Sequence, residues 1–217
     1  MTDPLPRILP SRPEPAAPAC WRRRLLAAVG LAAGLALCAP ALAAGELSLA
    51  QLMQALAQVK SGEARFVEKR RVGELQTTLE SSGRLSFQAP DVFVRETLKP
   101  RQERLAVTGN HVTMSQGSRS RTLALDSAPE AEAIVEAVRG TLTGNAAALQ
   151  RHFIPGLSGT LERWTLELEP REPRLRGQVA RVTVLGQQAQ LREVRILLAD
   201  GDSSVMQIET LAPGTGR

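Results

Sequence analysis

The sequence predicts an α+β protein made mainly of antiparallel β-strands. Beyond residue 60, short segments with apolar residues at every second position alternate with turns that contain glycine, asparagine or proline. Such short, closely spaced segments are typical of an antiparallel meander. Near the middle of the chain, the apolar spacing changes to the helical period of about 3.6 residues. We therefore expect one or two helices to interrupt a protein that is otherwise a sheet.

A helix is predicted to open the domain. Ser48 and Gln51 have the spacing of a capping box, in which each side chain bonds the backbone N–H of the other residue. The apolar residues at helical spacing after this cap are Leu49, Leu52, Met53 and Leu56. Because these residues form one apolar stripe, we expect the helix to pack on the sheet and cover its opening.

Strands are expected through the first half of the chain. Short strand-like segments between turns, with clear apolar–polar alternation at 83–88, predict them at 63–71, 75–81, 83–88, 92–98, 104–108, 111–115 and 119–125. Pro90 and Asp91 suit a turn, because proline fixes φ and aspartate can bond its own backbone. Gly109 and Asn110 suit the tip of a hairpin, where positive φ values are needed.

The helical segment lies between residues 127 and 153. Ser127 and Glu130 have the spacing of a second capping box, with Pro129 in the first turn, where proline is tolerated. The apolar residues at helical spacing are Ala131, Ile134, Val135, Val138 and Leu142. Asn145 is placed to cap a second, short helix that runs to Phe153.

Strands resume in the second half. Trp164, Leu166 and Leu168 alternate with polar residues, one threonine and two glutamates, so these three side chains are expected to point inward. Residues 171–177 are predicted to be a charged turn, and further strands are predicted at 179–185, 191–198 and 203–211. Because no repeat or linker follows residue 44, residues 45–217 are predicted to form one domain.

Residues 1–44 are predicted to be an N-terminal extension and a signal peptide. Arg22–Arg24 supply the positive charge, and the apolar run at 25–37 is shorter than a membrane span requires. The small residues Ala41 and Ala43 predict cleavage directly after residue 43 or 44. The alternative is an uncleaved membrane anchor.

The positions of the cysteines and of the charged residues argue against several kinds of site in the mature chain. Cys20 and Cys38 both lie in the predicted leader, so the mature chain is expected to have neither a disulfide nor a thiol ligand. Leu37, rather than a small residue, precedes Cys38, which disfavours lipidation there. Of the net charge of +5, the leader carries +3, from five arginines against two acidic residues, which leaves +2 for residues 45–217. That balance does not favour nucleic-acid binding.

The sequence offers no catalytic constellation. His111 and His152 lack the surroundings of a nucleophile–base pair or a metal site, so both are interpreted as ordinary surface or capping residues. Asp200 and Asp202 resemble part of a calcium loop without its final glutamate, and a hairpin turn is the favoured interpretation. We therefore predict no enzyme activity, no cofactor and no metal.

The predicted sheet has a long apolar face and too few helices to cover it. A sheet that curls into an unclosed half-barrel, with an α-helical lid across its opening, would enclose an apolar cavity. The alternative is a core filled by the protein's own side chains. Composition does not decide between these two arrangements.

Three motifs, in their order and spacing, resemble the LolA family of periplasmic lipoprotein carriers. The motifs are Phe66-Val67-Glu68-Lys69, then Gly83-x-Leu85-x-Phe87-x-x-Pro90-Asp91 followed by Phe93, and finally Trp164-x-Leu166-x-Leu168-x-Pro170. The resemblance covers roughly residues 47–211. It implies an unclosed antiparallel barrel with an α-helical lid over a hydrophobic cavity that holds acyl chains.

Two positions depart from the family pattern. Ala89 stands before the turn proline, where typical members carry a basic residue that helps govern lid opening and cargo release. Arg95 stands two residues after Phe93, where typical members have tryptophan. The chain is therefore interpreted as a divergent branch, whose acylated cargo is a lipoprotein or a glycolipid.

The resemblance also implies a function. It predicts a monomeric periplasmic carrier that takes cargo from an inner-membrane exporter to an outer-membrane acceptor, without a cofactor or nucleic acid. The residues expected to line the cavity are Phe66, Leu85, Phe87, Phe93, Trp164, Leu166 and Leu168. The residues expected to close it from the lid are Leu52, Leu56, Ile134 and Val138. The alternatives are a half-barrel module that binds a protein partner in envelope regulation, and a periplasmic enzyme that acts on lipids.

Overall fold

Eleven antiparallel strands form one sheet in the computed structural model, which describes residues 47–73, 77–127 and 129–211. The predicted signal peptide and its cleavage site lie outside the described residues. The strands are β1 (Ser61–Val72), β2 (Thr77–Gln88), β3 (Val92–Lys99), β4 (Glu103–Thr108), β5 (His111–Gln116), β6 (Arg119–Ala124), β7 (Phe153–Thr160), β8 (Arg163–Pro170), β9 (Val179–Gln187), β10 (Gln190–Leu198) and β11 (Ser203–Thr210).

Two meanders build this sheet. Strands β1 to β6 pair in sequence order, strands β7 to β11 do the same, and β1 pairs with β11 to join the two sets. The spatial order is therefore β6-β5-β4-β3-β2-β1-β11-β10-β9-β8-β7. Because β6 and β7 are the two edges and do not pair with each other, the sheet is an open half-barrel. The predicted fold class, mainly antiparallel β with an unclosed barrel, is confirmed.

The first helix, α1 (Leu49–Leu56), begins at the predicted capping box. The Gln51 backbone N–H donates to Ser48 Oγ at 3.2 Å, and the Ser48 backbone N–H donates to Gln51 Oε1 at 2.9 Å. The buried residues of this helix are Leu52, Met53 and Leu56, all on the predicted apolar stripe.

The predicted helical interruption contains two helices, α2 (Pro129–Thr143) and α3 (Ala146–His152). The Ala148 backbone N–H donates to Asn145 Oδ1 at 3.1 Å, so Asn145 caps the second helix as predicted. The predicted capping box at Ser127 extends over residues outside the described set. Ser127 itself ends a 3₁₀ turn and donates its hydroxyl to the Ala124 carbonyl.

Strand β2 is one continuous strand, whereas the sequence predicted two separate strands at 75–81 and 83–88. Its residues pair continuously with β1, and only its pairing with β3 shifts register, between Ser82 and Gly83. A Cβ at Gly83 would lie 1.9 Å from the Glu96 carbonyl oxygen and 3.0 Å from Phe66 Cε1. Gly83, where the second of the two predicted strands began, is therefore required by the close approach of a neighbouring strand.

Two further elements were not predicted from the sequence. Strand β7 contains Pro155 and two glycines, which disfavour a strand in the middle of a sheet. It lies at an edge and pairs only with β8, so a missing proline N–H is tolerated there. Within the charged turn, residues Pro173–Arg176 form a single helical turn, α4, with the proline at its start.

The packed core lies over β7, β8 and β9. Side chains from α1, α2 and α3 meet Trp164, Leu166 and Leu168 there, and these three residues are fully buried, as their alternation predicts. A Cβ at Gly186 would lie 2.0 Å from Trp164 Cζ2, so the indole ring packs directly on the β9 backbone. The Trp164 indole N–H donates to the Gln188 carbonyl at 2.9 Å.

Candidate functional site

A cavity of about 220 Å³ lies between helix α2 and the inner face of the sheet, on strands β1–β4, β10 and β11. Fourteen of its nineteen lining residues are apolar. These fourteen are Leu85, Phe87, Val92, Phe93, Leu105, Val107, Ile134, Val135, Val138, Leu142, Val194, Ile196, Met206 and Ile208. The other five are Glu68, Asp91, Arg95, Arg139 and Ser204.

The sheet presents this surface because inward-facing residues of neighbouring strands stand directly opposite one another. The rows that cross β2, β3 and β4 are Phe87–Phe93–Val107 and Leu85–Arg95–Leu105. The pairs that join β10 to β11 are Val194–Met206 and Ile196–Ser204. Apart from Arg95 and Ser204, both groups of residues are apolar, so the two meanders contribute facing apolar walls.

Helix α2 forms the roof of the cavity and also packs on the core. Its cavity-facing residues are Ile134, Val135, Val138 and Leu142. Ala133 and Ala137 directly precede Ile134 and Val138, so they lie on the neighbouring face of the helix, which is buried in the packed core. Because small residues allow the helix to approach the core closely, the larger side chains of its neighbouring face reach over the cavity.

Arg139 fastens this lid helix to the sheet. Its Nη2 donates to the Gly109 carbonyl, at the tip of the β4–β5 hairpin, at 2.6 Å. Its Nη1 donates to Glu136 Oε1 on the same helix at 2.7 Å, and Arg151 of α3 contacts the other oxygen of Glu136 at 3.4 Å. The lid is therefore attached to the hairpin through a charge-assisted hydrogen bond at one edge of the cavity.

Five of the residues proposed from the sequence lie together in this cavity. Leu85, Phe87 and Phe93 contribute to its floor, and Ile134 and Val138 contribute to its roof. The floor residues come from one hairpin, β2–β3, and the roof residues are one helical turn apart.

The other residues proposed from the sequence lie outside the cavity. Five are fully buried in the packed core, namely Leu52, Leu56, Trp164, Leu166 and Leu168. Phe66 is also buried, beneath the Arg95 guanidinium, whose Cζ lies 4.7 Å from the ring centroid. For the five core residues, the physical reason is that α1 and α3 fill the space over the second meander, whereas α2 extends over the cavity.

Sequence reasoning missed the part of the wall that β4, β10 and β11 supply. The alternation that could have identified it is present at Leu105 and Val107, at Val194 and Ile196, and at Ser204, Met206 and Ile208. Four of the seven predicted wall residues are aromatic, and two of these four, Phe66 and Trp164, are buried outside the cavity. The aliphatic walls could be assigned only once the strand order was known.

A cluster of polar side chains interrupts the apolar wall on β1, β2, β3 and β11. Glu68 accepts hydrogen bonds from Ser81 Oγ at 3.2 Å, from Ser204 Oγ and from Arg95 Nη2. The side chains of Glu68 and Arg95 are 14% and 27% exposed, so their ion pair is largely shielded from water. Charged groups at this degree of burial normally need such partners.

The partners of Glu68 determine its ionisation. Burial disfavours the charged carboxylate, but the hydrogen bond from Ser204, the charge and hydrogen bond of Arg95 and the hydrogen bond from Ser81 outweigh it. The pKa of Glu68 consequently lies below its ordinary value. The carboxylate is therefore ionised at neutral pH, and the cluster holds one negative and one positive charge.

Neither a metal centre nor a membrane span is found in the part of the chain that the structure describes. No group of three or more His, Cys, Asp or Glu residues there could hold a metal ion. No helix among the same residues is both long enough and apolar enough to cross a bilayer.

An open half-barrel with a helical lid over an apolar cavity defines the class of this protein, a LolA-like fold. The family model described as "Outer membrane lipoprotein carrier protein LolA-like" matches residues 41–215, and the chain belongs to this family. No curated protein matches it.

Several solved structures are similar to the chain. A LolA superfamily protein from Nitrosomonas europaea is 8% identical, with 78% of this chain and 96% of that chain covered and a TM-score of 0.41. A DUF1329 family protein from Desulfovibrio piger is 10% identical, with coverage of 78% and 92% and a TM-score of 0.43. The MucA/MucB complex of Pseudomonas aeruginosa is 13% identical, with coverage of 77% and 59% and a TM-score of 0.41. At these scores the likenesses carry no conclusion about function.

Proposed function

We propose that this protein is a periplasmic carrier that encloses the acyl chain of a lipoprotein or glycolipid in the cavity beneath α2. The observation that carries the proposal is the cavity itself, which lies between sheet and lid and has fourteen apolar residues among its nineteen. An apolar pocket with a few polar groups is the usual form of a site for an apolar ligand.

The energetic basis is the hydrophobic effect. Transfer of one CH₂ group from water to an apolar site is worth about 0.8 kcal/mol, so a long acyl chain gains several kcal/mol from shielding. The aliphatic and aromatic walls supply this gain without a covalent bond. Carriage of this kind needs neither a cofactor nor a catalytic residue, and we propose that the protein is not an enzyme.

The size of the cavity implies that the lid moves during loading. Its volume of about 220 Å³ is smaller than the roughly 300–1,000 Å³ of typical ligand pockets. A complete long acyl chain therefore requires α2 to shift away from the sheet. The hydrogen bond from Arg139 to the Gly109 carbonyl is the attachment that would have to break at the hairpin.

The proposed pathway includes both membranes. Residues 1–44 would direct export and be removed, leaving 45–217 as a monomeric domain in the periplasm. The cargo would arrive from an inner-membrane exporter and leave to an outer-membrane acceptor that holds the chain more tightly. Release of this kind depends on a difference in affinity and requires no nucleotide.

Lipid analysis of the protein purified from its own periplasm tests this proposal. We expect native mass spectrometry to show a bound acylated molecule on the wild-type chain. Val138→Glu places a charge against the apolar wall and should abolish that species. Leu98→Glu is the matched control, because Leu98 is an exposed residue of β3 outside the cavity, and it should retain the lipid.

Two results would contradict the proposal. One is a wild-type protein without any acyl lipid that instead carries a stoichiometric protein partner, which would favour a regulatory binding module. The other is equal lipid loss in Val138→Glu and Leu98→Glu. Circular dichroism spectra of both variants establish that each remains folded.

A further inference from the structure

We propose that the cluster of Glu68, Arg95, Ser81 and Ser204 is a polar anchor that binds the ester carbonyl of the acylated ligand. This inference rests on the proposed function, since it assigns a specific role to one part of the same cavity. The anchor concerns the polar group at the end of the ligand's acyl chain, whereas the carrier proposal concerns only the burial of that acyl chain.

The cluster lies at the cavity wall, and strands β1, β2, β3 and β11 each contribute one of its side chains. Glu68 and Ser81 stand directly opposite on β1 and β2, and Ser204 approaches from β11 on the other side of β1. Arg95 extends from β3 to reach them. Asp91 and Arg139, the other charged lining residues, lie at the opposite end of the cavity, since Asp91 precedes β3 by one residue.

The hydrogen bonds within the cluster leave part of Arg95 available. Its bonds to Glu68 and Ser81 both use Nη2, and no bond within the described residues uses Nε or Nη1. No fully buried side-chain nitrogen or oxygen atom in the described part of the chain lacks a partner. The Nε and Nη1 donors must therefore remain accessible, and Arg95 lines the cavity.

Packing fixes the orientation of these donors. The Arg95 guanidinium lies over the Phe66 ring, with Cζ 4.7 Å from the centroid, while Glu68 holds its Nη2. Two independent contacts on a planar group leave little freedom for it to rotate. The available N–H groups are consequently preorganised, which lowers the entropic cost of binding an acceptor.

The charge of the cluster indicates which acceptor it suits. Because Glu68 already neutralises Arg95, a ligand carboxylate would add an unpaired negative charge beside Glu68 in a site shielded from water. A carbonyl oxygen accepts the same hydrogen bonds without adding charge. An ester carbonyl joins an acyl chain to its polar remainder, so the anchor would mark where the chain ends.

A pair of ligands that differ at the carbonyl tests the anchor by isothermal titration calorimetry. Decanoyl glycerol has an ester carbonyl, and decyl glycerol ether has the same headgroup without it. We expect the wild-type protein to bind the ester roughly tenfold more tightly, the effect of a hydrogen bond from a charged donor. Decanoate should bind more weakly than the ester at neutral pH.

Variants assign that preference to the cluster. Arg95→Met combined with Glu68→Gln removes both charges and should equalise the two affinities. Arg104→Met combined with Glu96→Gln removes an exposed ion pair on β3 and β4 and should keep the preference. Arg95→Lys retains the pairing with Glu68 but lacks the Nε and Nη1 donors, so it should lose the preference even if the double variant fails to fold.

The outcomes separate the anchor from the carrier proposal. Equal binding of ester and ether by the wild-type protein overturns the anchor alone, as does a preference that survives Arg95→Lys. Tighter binding of decanoate than of the ester overturns the choice of a neutral acceptor. Failure of the wild-type protein to bind any of the three probes contradicts the carrier proposal itself.

Discussion

At the scale of single residues, the packed and hollow parts of the sheet are distinguished by close contacts. Trp164 lies on the β9 backbone only because Gly186 has no side chain, and its N–H is satisfied by the Gln188 carbonyl. Beneath α2, by contrast, Arg95 and Glu68 meet among apolar residues, and Arg95 retains accessible donors. One group of residues stabilises the fold, and the other gives the cavity its chemistry.

Gly186→Ala should destabilise the protein by about 1–3 kcal/mol, because the new methyl group would overlap the Trp164 ring. Gly62→Ala is the matched control, since a Cβ at Gly62 on β1 meets nothing within 4 Å. Its effect should remain within about 0.5 kcal/mol. Urea denaturation followed by tryptophan fluorescence measures both free energies of unfolding. A similar loss in the two variants would contradict the close packing described for Trp164.

The lowered pKa of Glu68 predicts a dependence of stability on pH. A carboxyl whose pKa is lower in the folded state stabilises the protein above the ordinary value of 4.5. That contribution is lost as the pH falls from 4.5 through the lower folded pKa. Glu68→Gln should therefore lose less stability than the wild-type protein over this acidic range, as measured by denaturation at a series of pH values. Parallel curves for the two proteins would refute the prediction.

At the scale of elements, helix α2 covers the cavity and joins it to the packed core. Its small residues Ala133 and Ala137 bind it to the core, and its larger residues cover the cavity. Ala89 stands where typical family members carry a basic residue before the turn proline. The hydrogen bond between lid and sheet here comes from the lid itself, through Arg139 to the Gly109 carbonyl.

Arg139→Met should increase the rate at which a bound acyl ligand dissociates, roughly fivefold or more, because the lid loses a charge-assisted hydrogen bond to the hairpin. Stopped-flow measurement with a fluorescent fatty acyl probe gives this rate. Arg151→Met is the control, since Arg151 is an exposed arginine that contacts Glu136 at 3.4 Å but does not touch the hairpin. An unchanged rate in Arg139→Met, or an equal increase in both variants, would show that this contact does not hold the lid.

At the scale of the whole molecule, the two meanders of the sheet have different roles. The second meander, β7 to β11, is covered at β7–β9 by α1 and α3 and forms most of the packed core. Strands β1–β4 of the first meander, together with β10 and β11, line the cavity beneath α2. Composition left open a filled core or a cavity. The sheet has both, a filled core over β7–β9 and a cavity beneath α2.

The local pattern of the chain was sufficient to predict most elements. Alternation and the spacing of turns identified nine of the eleven strands in nearly their observed positions, treated β2 as two strands and missed β7. Ser48 and Asn145 identified two helix starts because capping depends on residues a few positions apart. The break predicted within β2 and the omission of β7 were wrong, and the effects of Gly83 and Pro155 on these strands depend on which strand lies beside them.

The sequence by itself determined which side chains point inward, since the strand period of two residues is a local property. It did not determine what those side chains meet. Trp164 and Phe87 show the same alternation, yet one is buried by the protein's own helices and the other faces the cavity. Only the tertiary structure decided this, because the positions of α1, α2 and α3 over the sheet depend on contacts between residues far apart in the chain.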